Sequence, residues 1–464
     1  MFSQNVYISR RAALKNNLRK GTVLFPGNGE SGMNFKDNWY PFRQDSTFLY
    51  YTGINIPDIY FVIDIEADQE ILFGNDPTPE EIVWIGPTTP LRELAEAAGI
   101  KTIKPLNQLA DYLAKTTEDQ IHYLPPYRSE TSVALHELLG IAIAEVYEKC
   151  SIDLIKAVVK QREIKQPEEV AQLHKAVNIT AKMHTYAIQN GRAGKTEKQI
   201  AGELQAIAIG GGGNISFPII LTTNGQYLHN HASEKRLDNG ELVLCDCGAE
   251  TAMGYAGDMT RTFPVAERFT ELQKQVYNIV LDAHNKAIEA LKPGIKFLDV
   301  HLLASAKLVE GLKGLGLLKG DTQEAVLRGA HTLFFQCGLG HMMGLDVHDM
   351  ENLGEPYVGY TETLKKSDTF GLRSLRLGKE LQEGFVITVE PGLYFNPYLI
   401  DAWKAEQKLS EFINYNQVEK FKNFGGIRIE EDFLITSTSS ELLGDPLAKT
   451  VSDVEELINT SKQK

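Results

Sequence analysis

Short apolar runs alternate with longer amphipathic stretches in the first third of the chain. Before residue 160 the pattern predicts strands at 60–65, 70–74 and 82–86 and helices at 91–98 and 131–149. Such an alternation of short strands and helices predicts an α/β domain over residues 1–160.

A change of pattern near residue 160 predicts a domain boundary. Charged residues become frequent over 161–169, and Pro167 stands where proline suits the first turn of a helix. Apolar residues then recur at helical spacing from Val170 to Ile188. We therefore expect a second domain over residues 161–464.

The order of predicted elements occurs twice in the second domain. Each half has helix, turn, helix and then strands: first 168–189, 194–196, 197–209, 216–223 and 241–246, then 271–291, 293–294, 298–312, 332–338 and 386–390. Thr270 with Gln273 predicts a capping box at the third helix. The repeated order predicts two similar α/β halves with a ligand pocket between their sheets.

The aromatic segment 39–53, WYPFRQDSTFLYYTG, has two interpretations. The favoured one is a strand and turn that pack against their own domain. The alternative is a surface that caps the pocket of a neighbouring subunit.

Composition and charge exclude several classes of partner. The 464 residues carry a formal net charge of −14, which argues against nucleic acid and anionic membranes as partners. No apolar run approaches the roughly 18 residues of a membrane span, and no apolar core follows Arg10 and Arg11 as in a signal peptide. The four cysteines form no spaced framework, so we expect a protein of the reducing cytoplasm.

Two aspartates mark the segment 241–265, ELVLCDCGAETAMGYAGDMTRTFPV, as a candidate for chemistry. Asp246 lies inside an apolar strand, and Asp258 opens another strand whose Thr260 and Thr262 share one face. A hairpin with one inward aspartate per strand brings two carboxylates together. Because buried carboxylates repel each other, this arrangement needs a cation or protons.

Three later segments add charged residues in apolar or glycine-rich surroundings. His341 and His348 lie in the segment GLGHMMGLDVHD. Glu390 ends the apolar strand of EGFVITVEPGLY. Arg428 and Glu430 share one face of a strand in GGIRIEED. Each of these residues alone would more often be a cap, an ion-pair partner or a hydrogen-bonded histidine. Their joint occurrence favours a metal site made of Asp246, Asp258, His341, Glu390 and Glu430.

The charges of this set indicate two cations. Four carboxylates carry four negative charges, which two divalent cations balance, and a bridging hydroxide then leaves one negative charge. Oxygen-rich ligation with one imidazole suits Mn²⁺ most naturally, with Co²⁺, Fe²⁺ or Zn²⁺ possible. Two such ions about 3.5–4 Å apart can bridge a water and polarise a scissile carbonyl.

These motifs resemble the aminopeptidase P and prolidase family of metallopeptidases. The four site segments resemble the catalytic domain of that family, and FRQDSTFLYYTG resembles its N-terminal domain. The resemblance implies an α/β (α+β) fold, with an N-terminal domain for oligomerisation or pocket capping and a pita-bread catalytic domain with pseudo-twofold halves. It also implies a homodimer or homotetramer.

The resemblance also implies roles for individual residues. Asp246 would ligate one metal and His341 and Glu390 the other, while Asp258 and Glu430 would bridge both. Glu390 would also be the general base. His229 and His348 would bind substrate and stabilise the tetrahedral intermediate, and Tyr394 and Arg428 would lie beside the proline pocket.

This chain departs from the family pattern at two places. Its first two aspartates are one residue further apart than is usual, which an extra residue in the connection between their strands would explain. Cys337 stands where the family commonly has a histidine, and a thiol is a weak hydrogen-bond partner. By alternation Cys245 and Cys247 point away from Asp246, so we expect buried packing residues and not ligands.

The expected activity is that of an Xaa-Pro aminopeptidase, which releases an N-terminal residue that precedes proline through a hydroxide bridging two metals. DMTRTFPV and the FRQDS segment are closer to aminopeptidase P than to prolidase. An Xaa-Pro dipeptidase is the alternative. A metal-free binding protein and a metal-free hydrolase of the creatinase type are disfavoured by the intact ligand set.

Overall fold

The computed structural model describes residues 1–117 and 120–460, which divide into two compact units. Unit 1 comprises Met1–Arg162 and Met350–Tyr357, and unit 2 comprises Glu163–Asp349 and Val358–Lys464. The segment 350–357 belongs to unit 1 although it lies within the second predicted domain in sequence. The division at residue 160 into domains of different roles stays a prediction.

Unit 1 is built on a five-stranded sheet. Its elements are α1 (Gln4–Leu18), β1 (Thr22–Pro26), α2 (Ser46–Thr52), β2 (Tyr60–Asp64), β3 (Gln69–Phe73), α3 (Pro79–Ile85), α4 (Leu91–Ala98), β4 (Thr102–Lys104), α5 (Leu109–Leu113), β5 (Ile121–His122), α6 (Ser129–Leu139) and α7 (Ile152–Arg162). The strand order is β4-β3-β2-β1-β5, with β1, β2 and β3 antiparallel and both edge strands parallel to their neighbours. Leu24, Val62 and Ile71 are fully buried on this sheet.

The predicted strands at 60–65 and 70–74 are confirmed, but the strand at 82–86 is wrong. Residues Pro79–Ile85 form a helix because Thr78 accepts the N–H of Glu81 while the Glu81 carboxylate accepts the N–H of Thr78. Pro79 fits the first turn of this helix. A local cap therefore outweighs the β preference of a short apolar run.

Two other predictions in unit 1 need correction. The strand and turn predicted at 39–53 is wrong where the chain forms the helix α2. The Asp45 side chain caps the start of this helix by accepting the N–H of Phe48. The helix at 131–149 is confirmed only as far as Leu139. It ends at Gly140, whose φ of 72° is a left-handed value that favours glycine.

Over its described residues, 163–349 and 358–460, unit 2 contains three small antiparallel sheets among long helices. Its elements are α8 (Pro167–Asn190), α9 (Glu197–Gly210), β6 (Ile220–Thr222), β7 (Leu242–Cys247), β8 (Met259–Pro264), α10 (Glu271–Ala290), α11 (Phe297–Gly314), α12 (Thr322–Leu327), α13 (Glu355–Val358, which begins in unit 1), β9 (Val386–Val389), β10 (Gly392–Tyr394), α14 (Pro397–Ala405), α15 (Tyr415–Val418), β11 (Gly426–Arg428), β12 (Glu431–Ile435), β13 (Ser440–Leu442) and α16 (Val451–Thr460). The sheets are β6-β7-β8, β13-β12-β9 and β10-β11. Across residues 1–117 and 120–460, no helix has both the length and the apolar composition of a membrane span.

Most predicted elements of unit 2 are present. The four predicted long helices are confirmed by α8, α9, α10 and α11, and the capping box of Thr270 and Gln273 is confirmed. The strand at 332–338 is wrong, because Ala330–Leu333 form a 3₁₀ helix. Thr332 Oγ1 donates to the Gly329 carbonyl and Gln336 Nε2 to the Leu333 carbonyl, and such local bonds compete with strand pairing.

The buried histidine of α11 gives a testable pH dependence. Burial lowers the pKa of His301 to about 3, against roughly 6.5 in an unfolded chain. Between these values the unfolded state binds the extra proton, so His301 makes the protein less stable as the pH falls from 6.5 towards 3. Urea unfolding at pH 7 and pH 5 measures how much the free energy of unfolding decreases as the pH falls. This loss should be about 2 kcal/mol smaller in His301→Phe than in the parent. An unchanged loss would contradict this assignment.

Candidate metal centre

A cavity of about 600 Å³ in unit 2 collects most of the predicted site residues. Eight of the nine line it: His229, Asp246, Asp258, His341, His348, Glu390, Arg428 and Glu430. They come from well-separated parts of the sequence. The fold therefore brings together ionisable side chains that lie far apart in the sequence.

The β7–β8 hairpin positions the two aspartates. Cys247 pairs with Met259, and the same register continues to the bridge between Glu250 and Ala256. The hairpin is therefore in register up to its tip, and an extra residue in the turn at 251–255 stays a prediction. Asp246 and Asp258 both line the cavity despite the longer connection.

His341 is fixed by its own backbone and by β9. Its N–H donates to Thr388 Oγ1 at 3.1 Å, and its carbonyl accepts the Thr388 N–H at 3.0 Å. A proton on His341 Nδ1 can be donated to the Met342 carbonyl, 3.0 Å away. The lone pair of Nε2 then faces Asp258 Oδ2 at 3.4 Å and Glu390 Oε1 at 3.8 Å.

The two glutamates are placed by strand ends. Glu390 follows the last residue of β9, and its N–H donates to the Leu339 carbonyl at 2.7 Å. Glu430 lies between β11 and β12, where its N–H donates to the Thr260 carbonyl at 3.1 Å. Thr260 Oγ1 also donates to Glu430 Oε2 at 2.7 Å, so one threonine holds both backbone and side chain.

Burial and mutual repulsion disfavour the ionised form of the carboxylates in this cluster. Burial raises the pKa of Asp258 to about 8, and the Asp246 carboxylate adds to the rise. Burial likewise raises the pKa of Glu390 to about 7 and that of Glu430 well above its usual range. Placing charges so close together is costly unless protons or cations neutralise them.

The donor atoms fit divalent cations. The ligand atoms of Asp258, His341 and Glu430 lie within 4.8 Å of one another. Among the described residues, Asp246 Oδ1 and Asp258 Oδ1 are buried without a hydrogen-bond partner. A set of carboxylate oxygens with one imidazole nitrogen suits a hard or borderline divalent ion, so these residues fit the metals that the sequence predicts.

Arg428 is held in the wall of the cavity by three hydrogen bonds. Its Nη2 donates to Asp246 Oδ2 at 2.5 Å, its Nε to Thr260 Oγ1 at 3.0 Å and its Nη1 to the Tyr394 hydroxyl at 2.9 Å. Tyr394 is fully buried behind Arg428. A contact between Tyr394 and substrate therefore stays a prediction, whereas its contact with Arg428 is direct.

The two predicted substrate histidines lie at the cavity. His348 packs edge-on against His341, with ring centroids 4.3 Å apart. Burial lowers the pKa of His229, and the positive charge of Arg428 lowers it further. A neutral His229 can donate one hydrogen bond and accept another.

Several residues of the site escaped prediction from the sequence. Arg261, which is fully buried, donates from Nη1 to the Glu430 carbonyl at 2.9 Å and from Nη2 to Glu431 at 2.6 Å. Asp432 accepts the N–H of Asp258 at 3.1 Å. The sequence signal that could have identified Arg261 and Asp432 is a charged residue inside an apolar strand. Arg376 also lines the cavity, and no signal in its sequence surroundings pointed to it.

Cys337 also lines the cavity. Its thiol lies 3.8 Å from the Tyr394 hydroxyl, to which it can donate. Burial raises the pKa of this thiol to about 12, and the Glu390 carboxylate adds to the rise. It therefore contributes a neutral group at neutral pH.

Comparisons with protein families and curated proteins relate the chain to metallopeptidases. The model of metallopeptidase family M24 matches residues 171–437, and that of the aminopeptidase P N-terminal domain matches residues 7–123. A probable Xaa-Pro aminopeptidase of Botryotinia fuckeliana is 33% identical over 445 residues, 95% of this chain and 91% of the relative. The Xaa-Pro dipeptidase of Homo sapiens is 30% identical over 93% of this chain and 87% of its own.

Solved structures extend the likeness to the whole fold. An alanine variant of Escherichia coli aminopeptidase P in complex with substrate superposes with a TM-score of 0.81, 29% identity and 100% of both chains covered. Proline aminopeptidase P II from Yersinia pestis gives 0.81, with 28% identity and 99% and 100% coverage. The chain therefore has the two-domain fold of these proteins, an N-terminal domain followed by a pita-bread domain.

Replacing Glu430 with glutamine should separate metal binding from fold stability. In chelator, Glu430→Gln should melt no lower than the parent, because one of four repelling carboxylates is gone while Thr260 keeps an acceptor. With Mn²⁺ at about 100 times its dissociation constant, the parent should gain about 2.7 kcal/mol per site and the variant much less. Thermal melting in chelator and in Mn²⁺ measures both effects.

Glu310→Gln is the matched control, because Glu310 is an exposed partner of Lys307 on α11. It should melt like the parent in both conditions. An equal gain from Mn²⁺ in Glu430→Gln and the parent would remove Glu430 from the metal site.

Proposed function

The chain belongs to metallopeptidase family M24, and on that basis we propose that it is an Xaa-Pro aminopeptidase. It would hydrolyse the bond between an N-terminal residue and a following proline. The observation that carries the proposal is the convergence of Asp246, Asp258, His341, Glu390 and Glu430 on one cavity. The relatives named Xaa-Pro aminopeptidase, which match nearly the whole chain, support the choice of reaction.

The proposed ligands would hold two divalent cations. Asp246 would bind one, His341 and Glu390 the other, and Asp258 and Glu430 would lie between them. When bound, the cations supply Lewis acidity and a lowered pKa for a nucleophilic water. We propose Mn²⁺ because four carboxylates and one imidazole make a predominantly oxygen site.

The remaining steps would depend on side chains of the cavity. Glu390 Oε would take the proton of the attacking water and pass it to the proline nitrogen as the bond breaks. His229 and His348 would donate to the carbonyl oxygen, where negative charge develops. Arg428 would act as a positioning residue, since it holds Asp246 and Thr260, which in turn contacts Glu430.

The preference for proline would come from the apolar part of the cavity. Phe217, Ile220 and Leu228 line the same space as the carboxylates. An Xaa-Pro bond has no N–H to donate, so a site that binds the ring by contact can accept a bond that most peptidases reject. The pocket for the ring is part of the proposal.

A dipeptidase is the second candidate, and Arg376 favours it. Its side chain lines the cavity, and a guanidinium can bind the free carboxylate of an Xaa-Pro dipeptide. The human relative named Xaa-Pro dipeptidase matches over similar lengths. In a longer peptide that carboxylate is replaced by the next peptide bond, which removes the interaction.

We also propose a cytoplasmic homodimer or homotetramer. All four cysteines are free thiols, which supports a reducing compartment. Self-association through the N-terminal domain, with capping of a neighbour's pocket, is supported by apolar side chains exposed on α3. Trp84 is 83% exposed and Val83 78%.

The activity is tested with three peptides and two metal conditions. Metal-stripped protein supplied with Mn²⁺ should release alanine from Ala-Pro-Ala-Ala but not from Ala-Ala-Ala-Ala, and chelator should abolish release. Chromatography of the products measures both. Cleavage of Ala-Pro without cleavage of Ala-Pro-Ala-Ala would replace the aminopeptidase with the dipeptidase, and cleavage of neither Xaa-Pro substrate would reject both.

Arg376→Met tests how the cavity treats a terminal carboxylate. If Arg376 binds the terminal carboxylate, kcat/KM for Ala-Pro should fall about 10- to 150-fold, because a hydrogen bond between charged groups is lost. The kcat/KM for Ala-Pro-amide should stay close to that of the parent, because the amide has no carboxylate. Arg373→Met is the matched control, because Arg373 instead stacks on Phe370. An equal fall on both substrates would contradict carboxylate recognition.

A further inference from the structure

A second cluster of metal-ligating side chains lies on the reverse side of β7. Cys245 and Cys247 flank Asp246 and point to the opposite face, where His184 of α8 meets them. The two sulfurs are 3.8 Å apart, and Cys247 Sγ is 3.5 Å from His184 Nε2. All three ligand atoms lie within 4.8 Å of one another.

The spacing of these atoms matches the edges of a tetrahedral metal site. Zinc–sulfur bonds of about 2.3 Å and zinc–nitrogen bonds of about 2.0–2.1 Å give tetrahedral edges of about 3.8 Å between sulfurs and about 3.6 Å between sulfur and nitrogen. The two measured edges, 3.8 Å and 3.5 Å, agree with these values. His184 Nε2 also lies 3.3 Å from the Cys247 carbonyl, a hydrogen bond that a bound cation would replace.

Charge and burial favour a divalent ion in this cluster. Cys245, Cys247 and His184 are fully buried. Two thiolates, a neutral imidazole and one divalent cation sum to zero charge, which an apolar interior tolerates. Sulfur ligands select a thiophilic ion, in contrast with the oxygen ligands of the cavity on the other face.

The sequence predicted that Cys245 and Cys247 are buried packing residues, and their burial is confirmed. Against the expectation that they are not ligands, we propose that His184, Cys245 and Cys247 bind one thiophilic divalent cation, of which Zn²⁺ is the probe to use. The strand register pairs Met259 with Cys247, so a buried thioether side chain shares this face of the hairpin. The bound ion would tie β7 to α8 directly behind Asp246. Its role would be structural, because it would hold the strand that presents a carboxylate to the cavity.

Cobalt spectroscopy of the full chain distinguishes this site from the oxygen-rich one. A thiolate ligand gives Co²⁺ a near-ultraviolet charge-transfer band that carboxylates and imidazole do not give. Titration of chelator-treated parent protein should develop this band up to one Co²⁺ per chain, and Zn²⁺ should displace it. Cys245→Ser and Cys247→Ser should each weaken the band severalfold, and the double variant should abolish it.

Cys150→Ser and Cys337→Ser are the matched controls and should retain the band. Cys337 matters because it is the thiol that lines the cavity. Circular dichroism establishes that each variant is folded, and the parent titration decides the matter even if the serine variants are not. No band in the parent would overturn the proposal, and so would a band that survives the double variant or is lost in Cys337→Ser.

Discussion

The mutual repulsion of four carboxylates beside one imidazole, three of them buried and Glu390 partly buried, is the constraint on which unit 2 depends. Asp246, Asp258, Glu390 and Glu430 lie at one cavity, and burial raises the pKa of three of them. Such a cluster is costly to stability, because replacing buried charged groups with apolar side chains of similar size is often neutral or stabilising. The cluster is explained by what it can bind.

Backbone pairing and a second layer of polar contacts hold the cluster together against this repulsion. Thr260 bonds both the backbone and the side chain of Glu430 and accepts a hydrogen bond from Arg428. Arg261 donates a hydrogen bond to the Glu430 carbonyl. The Arg428 guanidinium bonds Asp246, and its charge lowers the pKa of Asp258, Glu390 and Glu430 by less than burial raises it. The remaining carboxylates still need positive charge, which agrees with more than one cation in the cavity.

Local signals in the sequence were sufficient for the long helices and for the charged residues that end apolar strands. Capping residues such as Thr270 mark helix starts, and a carboxylate such as Glu390 after an apolar run is conspicuous. Short segments were predicted less well, because side chains such as Glu81 and Thr332 bond nearby backbone and override β preference. Thr260 and Arg261 were missed as supports because their partners lie about 170 positions away.

The most direct test of the central claim is anomalous diffraction from crystals grown with Mn²⁺, recorded on either side of the manganese edge. The metal-centre interpretation predicts two peaks in the cavity, both in contact with Asp258 and Glu430, with His341 beside only one of them. A cavity without peaks, or a single ion that leaves Glu430 bonded only to Thr260, would contradict it.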